Sequence, residues 1–302
     1  MARLATVCDV ELHRPASPLA GMTADELKSR VHDKHGLLSA ITDRVDAALL
    51  DAAPTLRIVA NFGVGYDHID VAAARARGVI VTNTPDVLTD ATAELTWALI
   101  LDAARRVTEG DRLVRRGGWK GWSPDFMLGT ELRGKQLGII GSGRIGRAVA
   151  AKAPAFGMTA KFARRPGQSA DVAAASMSFD ELLVSSDVIS VHVPGGAANR
   201  HVIDRRALAR MKRTAILINT ARGPVVDEEG VAWALGEGLI AAAGLDVYER
   251  EPQVHESLLG LENVVLAPHL GSATRETRTA MADLAVSNLL AVLSGEPALT
   301  PV

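Results

Sequence analysis

Four residues in the second half of the chain carry groups that suit one reaction. Arg222, Asp246, Glu251 and His269 supply a guanidinium, two carboxylates and an imidazole. Each falls at or just past the carboxyl end of a short apolar run that reads as a parallel strand, the edge where α/β sheets bind ligands. A 2-keto acid accepting hydride needs its carboxylate held, its carbonyl polarised and a proton delivered to the new hydroxyl. Arg222 can meet the first two needs by bidentate contact. His269 can give the proton, and take it back in the oxidation direction. Glu251 can hold the imidazole and favour its charged form. Each also has a plainer reading: Arg222 as a loop arginine paired with Asp227, Asp246 as a turn cap, Glu251 as a surface acid before Pro252, and His269 as a buried, hydrogen-bonded histidine. Their common placement favours the chemical reading.

Hydride chemistry needs a carrier, and the stretch Gln136–Gly146 (QLGIIGSGRIG) supplies a place for one. Leu137–Ile140 predicts a buried strand. Gly141-Ser142-Gly143-Arg144-Ile145-Gly146 is G-x-G-x-x-G, and Arg147–Phe156 continues at helical period until Pro154 limits or kinks it. Gly141 permits a tight turn, Gly143 lets backbone approach a pyrophosphate, and Gly146 lets helix pack on strand. The helix N-terminus offers N–H groups to phosphate. A second strand, Thr159–Ala163 (TAKFA), ends in Arg164-Arg165-Pro166. Arg164 lies eighteen residues after Gly146, near the place where an NAD-binding chain carries an acid for the ribose hydroxyls. An arginine there suits a 2′-phosphate, so NADP(H) is expected over NAD(H), with NAD(H) still possible. The plainer reading is two solvated arginines.

The elements that must position these residues alternate along the chain. Helices are expected at Thr23–Val31, Val45–Ala52, Asp90–Arg105, Ser178–Ser185, Asp204–Met211, Asp227–Gly236 and Glu276–Leu293. Strands are expected at Gly36–Ala40, Leu56–Asn61, Val79–Asn83, Asp187–Val193, Thr214–Asn219, Ala243–Val247 and Val264–Ala267. This predicts an α/β fold of two Rossmann-like or flavodoxin-like doubly wound parallel-sheet domains with a cleft between them. The expected division is 1–93 with 274–302 as the substrate domain and 94–273 as the dinucleotide domain. Met1–Leu12 holds at most one strand. Asp90 or Thr92 is expected to cap the long helix. Phe62-Gly63-Val64-Gly65-Tyr66-Asp67-His68 directly follows a strand and reads equally as an anion-binding loop for a small acid or as a turn needing positive φ. Arg106–Arg133 reads as an extended arm whose Trp119 and Trp122 serve a subunit interface, a core or a pocket lining.

Bulk properties narrow the class. The 302 residues are 48% hydrophobic and 23% charged, enough for large cores and against disorder. With 33 basic and 35 acidic side chains the net charge is −2, which gives no electrostatic reason for nucleic acid or an anionic membrane as partner. The single cysteine, Cys8, excludes an intramolecular disulfide and a multi-cysteine metal site. No apolar run is long enough to span a membrane and no signal-peptide pattern opens the chain, so a cytoplasmic protein without bound metal is expected.

The segments NFGVGYDHID, GSGRIG, FARRP, HVP, INTARGPVVDE, GLDVYEREP and APHLGSATRET, in that order, resemble the D-isomer-specific 2-hydroxyacid dehydrogenase family, and within it glyoxylate/hydroxypyruvate reductases. The likeness covers nearly the whole chain. It implies that Arg222 binds substrate, Glu251 partners the imidazole and His269 donates the proton. It implies that Asp246 lies beside the nicotinamide carboxamide, that Val64 and Gly65 offer N–H groups to the substrate carboxylate, and that Val193, Thr220, Ala221, His269 and Gly271 line the cofactor cleft. Ser142, Gly143, Arg144, Ile145 and Gly146 would hold the pyrophosphate, and Ala163, Arg164 and Arg165 the adenosine side. A homodimer embraced by the arm is implied as well. Two departures stand out: the family's usual first strand and helix are missing, and Gly195-Gly196 replaces a bulkier turn. The rival readings are a reductase of a bulkier keto acid such as 2-ketogluconate, and a dinucleotide-sensing binding protein.

Overall fold

A computed structural model describes residues 2–13, 21–165, 167 and 169–302. Met1 and Pro166, both named above, lie outside the described residues. The chain packs as two units, one formed by Met1–Leu88 with Thr274–Val302 and the other by Thr89–Ala273.

The first unit holds three parallel strands, β1 (Gly36–Ser39), β2 (Ile58–Asn61) and β3 (Ile80–Thr82), in that spatial order. Side-chain alternation sends Val59 and Val81 to one face and Ile58 and Ala60 to the other. Val59 and Val81 join Leu27, Val31, Leu49 and Leu50. Ile58 and Ala60 join Ala285, Val286, Leu289 and Val292 of the long last helix, Arg275–Leu293. Thr23 caps helix Ala24–Val31 through a full capping box with Glu26. The chain's opening forms one helical turn, Ala2–Ala5, and Leu4 packs in the last helix's cluster. A six-residue helix that the sequence patterns do not predict, Val71–Ala76, is capped by Asp70. The chain's end also pairs with β3: Thr82 bridges Pro301 antiparallel, and Val302 donates its N–H to the Val81 carbonyl.

The second unit is a seven-stranded sheet. Its strands are β4 (Gln136–Ile140), β5 (Thr159–Ala163), β6 (Ser176–Met177), β7 (Val188–Val191), β8 (Ile216–Asn219), β9 (Ala242–Leu245) and β10 (Val264–Leu266). The order is β10-β9-β8-β7-β4-β5-β6, and every pairing is parallel. All residues of β7, β8 and β9 are buried, as strands covered on both faces must be. Strand order runs outward from β4 on both sides, so a topological switch point lies at β4 and β7. The parallel arrangement places the carboxyl ends of all seven strands on one edge.

Three expectations are corrected here. Helix Thr89–Arg105 starts one residue before Asp90, so Asp90 sits in its first turn and Thr92 inside it, where the Thr96 hydroxyl bonds back to the Thr92 carbonyl. The expected arm is helical over Val107–Arg115; none of that helix's residues is buried. The helix after the glycine motif begins at Arg144 and ends at Lys152, and Pro154 stands at the start of a 3-10 turn, Ala153–Phe156. No helix among the described residues is long and apolar enough to cross a membrane.

Candidate active site

Arg222 leaves β8, Asp246 leaves β9 and His269 leaves β10, so three neighbouring parallel strands deliver them to one edge. Glu251 comes from the loop after Asp246. His269 Nδ1 and Glu251 Oε2 lie 2.7 Å apart. The second oxygen of Glu251 accepts the Tyr248 N–H at 3.1 Å. Burial raises the Glu251 carboxyl, but the hydrogen bond and charge of His269, the Tyr248 N–H and the Arg222 charge outweigh it, and the group is held below the usual carboxylate range. Arg222 therefore acts on the same carboxylate that His269 touches. Its guanidinium donates to the neighbouring Ala221 carbonyl at 2.8 Å. Asp227 caps the following helix, taking the Gly230 N–H.

Asp246 is fully buried, and both of its oxygens accept backbone N–H groups, from Leu270 at 2.6 Å and Gly271 at 2.8 Å. Its carbonyl takes the His269 N–H. These three bonds hold His269 at φ 55°, a left-handed conformation rare for a residue with a Cβ. Burial pushes the Asp246 carboxyl up to about 6, against the lowering pull of the Leu270 N–H and the His269 charge.

Sequence reasoning passed over the asparagine and glutamate that shape these loops. Asn219 donates to the Arg222 carbonyl and accepts the Ala221 N–H, folding the loop that carries the guanidinium. Glu228 is buried, and its two oxygens accept the N–H groups of Glu249 and His255, so one carboxylate ties both ends of the loop bearing Glu251. Glutamate side chains are rarely buried; the position of Glu228 in a helix's first turn was the only local signal.

At the end of β4 the glycines take their expected forms. Gly141 has φ 111°, and a Cβ on it would stand 2.3 Å from the His192 carbonyl oxygen. A Cβ on Gly146 would fall 2.0 Å from the Gly141 oxygen. A Cβ on Gly143 would meet nothing within 4 Å. Gly143 is also the N-cap of helix Arg144–Lys152, which has no side-chain cap. An open approach to an uncapped helix N-terminus fits a pyrophosphate. Val193 follows β7 on the same edge, with Thr220 and Ala221 after β8. The Thr220 hydroxyl bonds Thr96 Oγ1 at 2.9 Å. Arg164 and Arg165 follow β5, both exposed, and Arg164 donates to the Ser176 carbonyl.

In the first unit, the Phe62–His68 loop leaves β2. The Gly63 carbonyl accepts Asn61 Nδ2 and the Thr84 N–H, the Val64 carbonyl accepts Asn83 Nδ2, and the Gly65 carbonyl accepts Asn61 Nδ2. The Arg278 guanidinium lies 5.7 Å from the Phe62 ring centre.

Residues 97–271 match the family model described as D-isomer specific 2-hydroxyacid dehydrogenase, NAD binding domain. The chain is 48% identical over 296 residues to the glyoxylate reductase of Thermococcus litoralis, covering 95% of this chain and 88% of that one. It is 51% identical over 272 residues to the glyoxylate reductase of Korarchaeum cryptofilum, covering 88% and 82%. A Thermus thermophilus protein of known structure superposes with a TM-score of 0.93 at 45% identity, covering 100% and 95%. The NADPH-dependent glyoxylate/hydroxypyruvate reductase of Sinorhizobium meliloti, solved with NADP and malonate, does so with a TM-score of 0.82 at 40% identity, covering 93% and 86%. The chain belongs to the D-isomer-specific 2-hydroxyacid dehydrogenase family and is an NAD(P)-dependent oxidoreductase acting on 2-keto and 2-hydroxy acids.

Proposed function

We propose that the chain reduces a small 2-keto acid, glyoxylate or hydroxypyruvate, to the D-2-hydroxy acid, and that it uses NADPH in preference to NADH. The reading rests above all on the 2.7 Å contact between His269 and Glu251, with the Arg222 charge acting on the same carboxylate. A nicotinamide dinucleotide held at the glycine turn after β4 would supply the hydride that reduces the carbonyl carbon. Arg222 grips the keto acid's carboxylate and polarises its carbonyl oxygen. His269 donates a proton from Nε2, since Nδ1 faces Glu251, and that proton ends on the new hydroxyl oxygen. Glu251, held below the usual carboxylate range, fixes the imidazole through Nδ1. Val64 and Gly65 offer N–H groups to the carboxylate. Ser142, Gly143, Arg144, Ile145 and Gly146 hold the pyrophosphate. Val193, Thr220, Ala221, Asp246 and Gly271 surround the nicotinamide side, and Ala163, Arg164 and Arg165 the adenosine side.

The preference for NADPH is supported by two exposed arginines where an NAD-binding chain would carry an acid. Absorbance at the NADPH band, followed with both cofactors and with glyoxylate, hydroxypyruvate and 2-ketogluconate, tests the whole reading. Faster turnover with NADPH and the two small acids is expected. A preference for NADH would remove the role of the arginines, and turnover of 2-ketogluconate alone would move the substrate. No turnover despite tight NADPH binding would make the chain a sensor. In the double variant R164A/R165A, the KM for NADPH is expected to rise about tenfold or more while that for NADH holds.

A homodimer belongs to the same proposal. Trp119 and Trp122 are 57% and 79% exposed, with Val114 and Leu128 exposed in the same segment. Such a patch suits a subunit interface. Sedimentation of the protein at micromolar concentration is expected to give twice the chain mass; a monomer would discard the assignment.

A further inference from the structure

We propose that Asn61 and Asn83 are positioning residues that set the direction of the Val64 and Gly65 N–H groups, and through them the affinity for the substrate's carboxylate. The inference rests on the carboxylate-binding reading above and assigns its cause to two side chains that touch no substrate.

In a trans peptide the N–H points opposite to the carbonyl of the preceding residue. Whatever fixes the Gly63 carbonyl therefore aims the Val64 N–H, and whatever fixes the Val64 carbonyl aims the Gly65 N–H. Asn61 Nδ2 and the Thr84 N–H hold the first, the side chain at 2.9 Å and the backbone at 3.0 Å. Asn83 Nδ2 holds the second at 2.8 Å. Asn61 Nδ2 also holds the Gly65 carbonyl at 2.9 Å, so one amino group spans the loop. Three successive carbonyls are thus turned toward the protein. Among the described residues the N–H groups of Val64 and Gly65 have no partner. Two consecutive N–H groups presented together make an anion-binding concavity.

Burial supports a role beyond filling space. Asn61 is fully buried at the end of β2, and its Oδ1 accepts nothing among the described residues. A buried, unpaired acceptor is destabilising. An apolar residue there would avoid that cost but would release two carbonyls, so the amino group is the reason an asparagine fits. Asn83, 9% exposed, is itself braced by the chain's end: its N–H donates to the Thr300 carbonyl and its carbonyl accepts the Thr300 hydroxyl at 2.6 Å.

The test compares the unmodified protein with N61D and N83A in steady-state reduction of glyoxylate, together with cofactor affinity by fluorescence titration. Aspartate keeps the shape of asparagine but offers acceptors where the loop needs donors. The KM for the keto acid is expected to rise at least tenfold in N61D and about threefold to tenfold in N83A, in line with losing two donors or one. The dissociation constant of NADPH is expected to stay within twofold. Folding is checked by thermal melting, and if N61D does not fold, N83A alone decides. Folded variants with unchanged KM would overturn the proposal, and so would equal losses in keto-acid and cofactor binding. Absence of turnover in the unmodified protein would remove the underlying reading instead.

Discussion

His269 meets Glu251 through Nδ1 at 2.7 Å while its own backbone is held at φ 55°. The two facts belong together. Strands β9 and β10 end side by side, and the Leu270 and Gly271 N–H groups, donating to the Asp246 carboxylate, fold the chain back at His269. The ring is thereby set against Glu251, leaving Nε2 as the nitrogen away from the carboxylate. Backbone strain of this kind persists only where surrounding bonds over-determine it.

Replacing His269 with alanine removes the proton donor. The expected loss in kcat is about 10²–10⁴, with cofactor affinity retained. In E251Q the ring keeps a hydrogen-bond partner but loses a negative charge. Burial raises this carboxyl, but the His269 hydrogen bond and charge, the Tyr248 N–H and the Arg222 charge hold it below the usual carboxylate range. The kcat of keto-acid reduction is expected to fall about tenfold in E251Q, since a charge-assisted hydrogen bond that sets the ring becomes a neutral one. Steady-state kinetics with glyoxylate check this, and an unchanged kcat would contradict the pairing's role.

Arg222 offers a planar fork, and its charge reaches Glu251 as well as any substrate. R222K keeps one positive charge but cannot make two parallel bonds. Losing one charge-assisted hydrogen bond costs about 1.5–3 kcal/mol, so kcat/KM for glyoxylate is expected to drop about 10- to 150-fold. The drop should appear in both kcat and KM, because the fork serves carboxylate and carbonyl alike. An unchanged kcat/KM in R222K would remove the assignment.

What the sequence discloses follows from which signals are local. Ile216–Asn219 and Val188–Val191 are mostly apolar because both faces of their strands are buried, and they are readable as such. The Thr23–Glu26 capping box is a three-residue pattern and is equally readable. Helix Val107–Arg115 is less legible within the expected arm, because it carries Gly110 and none of its residues is buried. Helix Val71–Ala76 is six residues of mostly alanine, too short to display a period. In the site, the chemistry-bearing side chains were legible by type and by their place at strand ends. Their supports were not. Asn83 holds a carbonyl 19 residues away and Glu228 an N–H 27 residues away, and such contacts leave no local periodicity.

Asp246 links the site to stability through pH. Burial lifts its carboxyl from an ordinary 3.8 to about 6. Between about pH 4 and pH 6 the folded chain therefore binds this proton more tightly than the unfolded chain does. Stability falls as pH rises through that window and levels off above it. Two pH units of displacement correspond to about 3 kcal/mol at most. D246N carries no such proton. Urea midpoints at about pH 4.5 and about pH 7 are expected to show the unmodified protein losing stability relative to D246N as pH rises. A constant difference between the two proteins would rule out the raised carboxyl.

Gly223 sets the spacing between the loop of Arg222 and the loop of Glu251. A Cβ on it would stand 1.9 Å from both the carbonyl carbon and oxygen of Tyr248, and 2.4 Å from the Glu249 nitrogen. All three are backbone atoms, so no side chain can swing aside; one loop must shift. Tyr248 also donates the N–H that holds Glu251, so the shift reaches the acid as well as the arginine. Overpacking against backbone in G223A is expected to cost about 3 kcal/mol, which lowers Tm by about 6–12 °C. Activity below the melting range should fall too, because Arg222 and Glu251 are displaced relative to each other. G236A is the control: a Cβ there meets nothing within 4 Å, and the residue ends helix Glu228–Gly236. Alanine at that position is expected to leave activity intact and stability equal or slightly higher. Thermal melts and kcat/KM for the two variants decide the matter, and a G223A protein as active and as stable as G236A would show that the close approach does not govern the site.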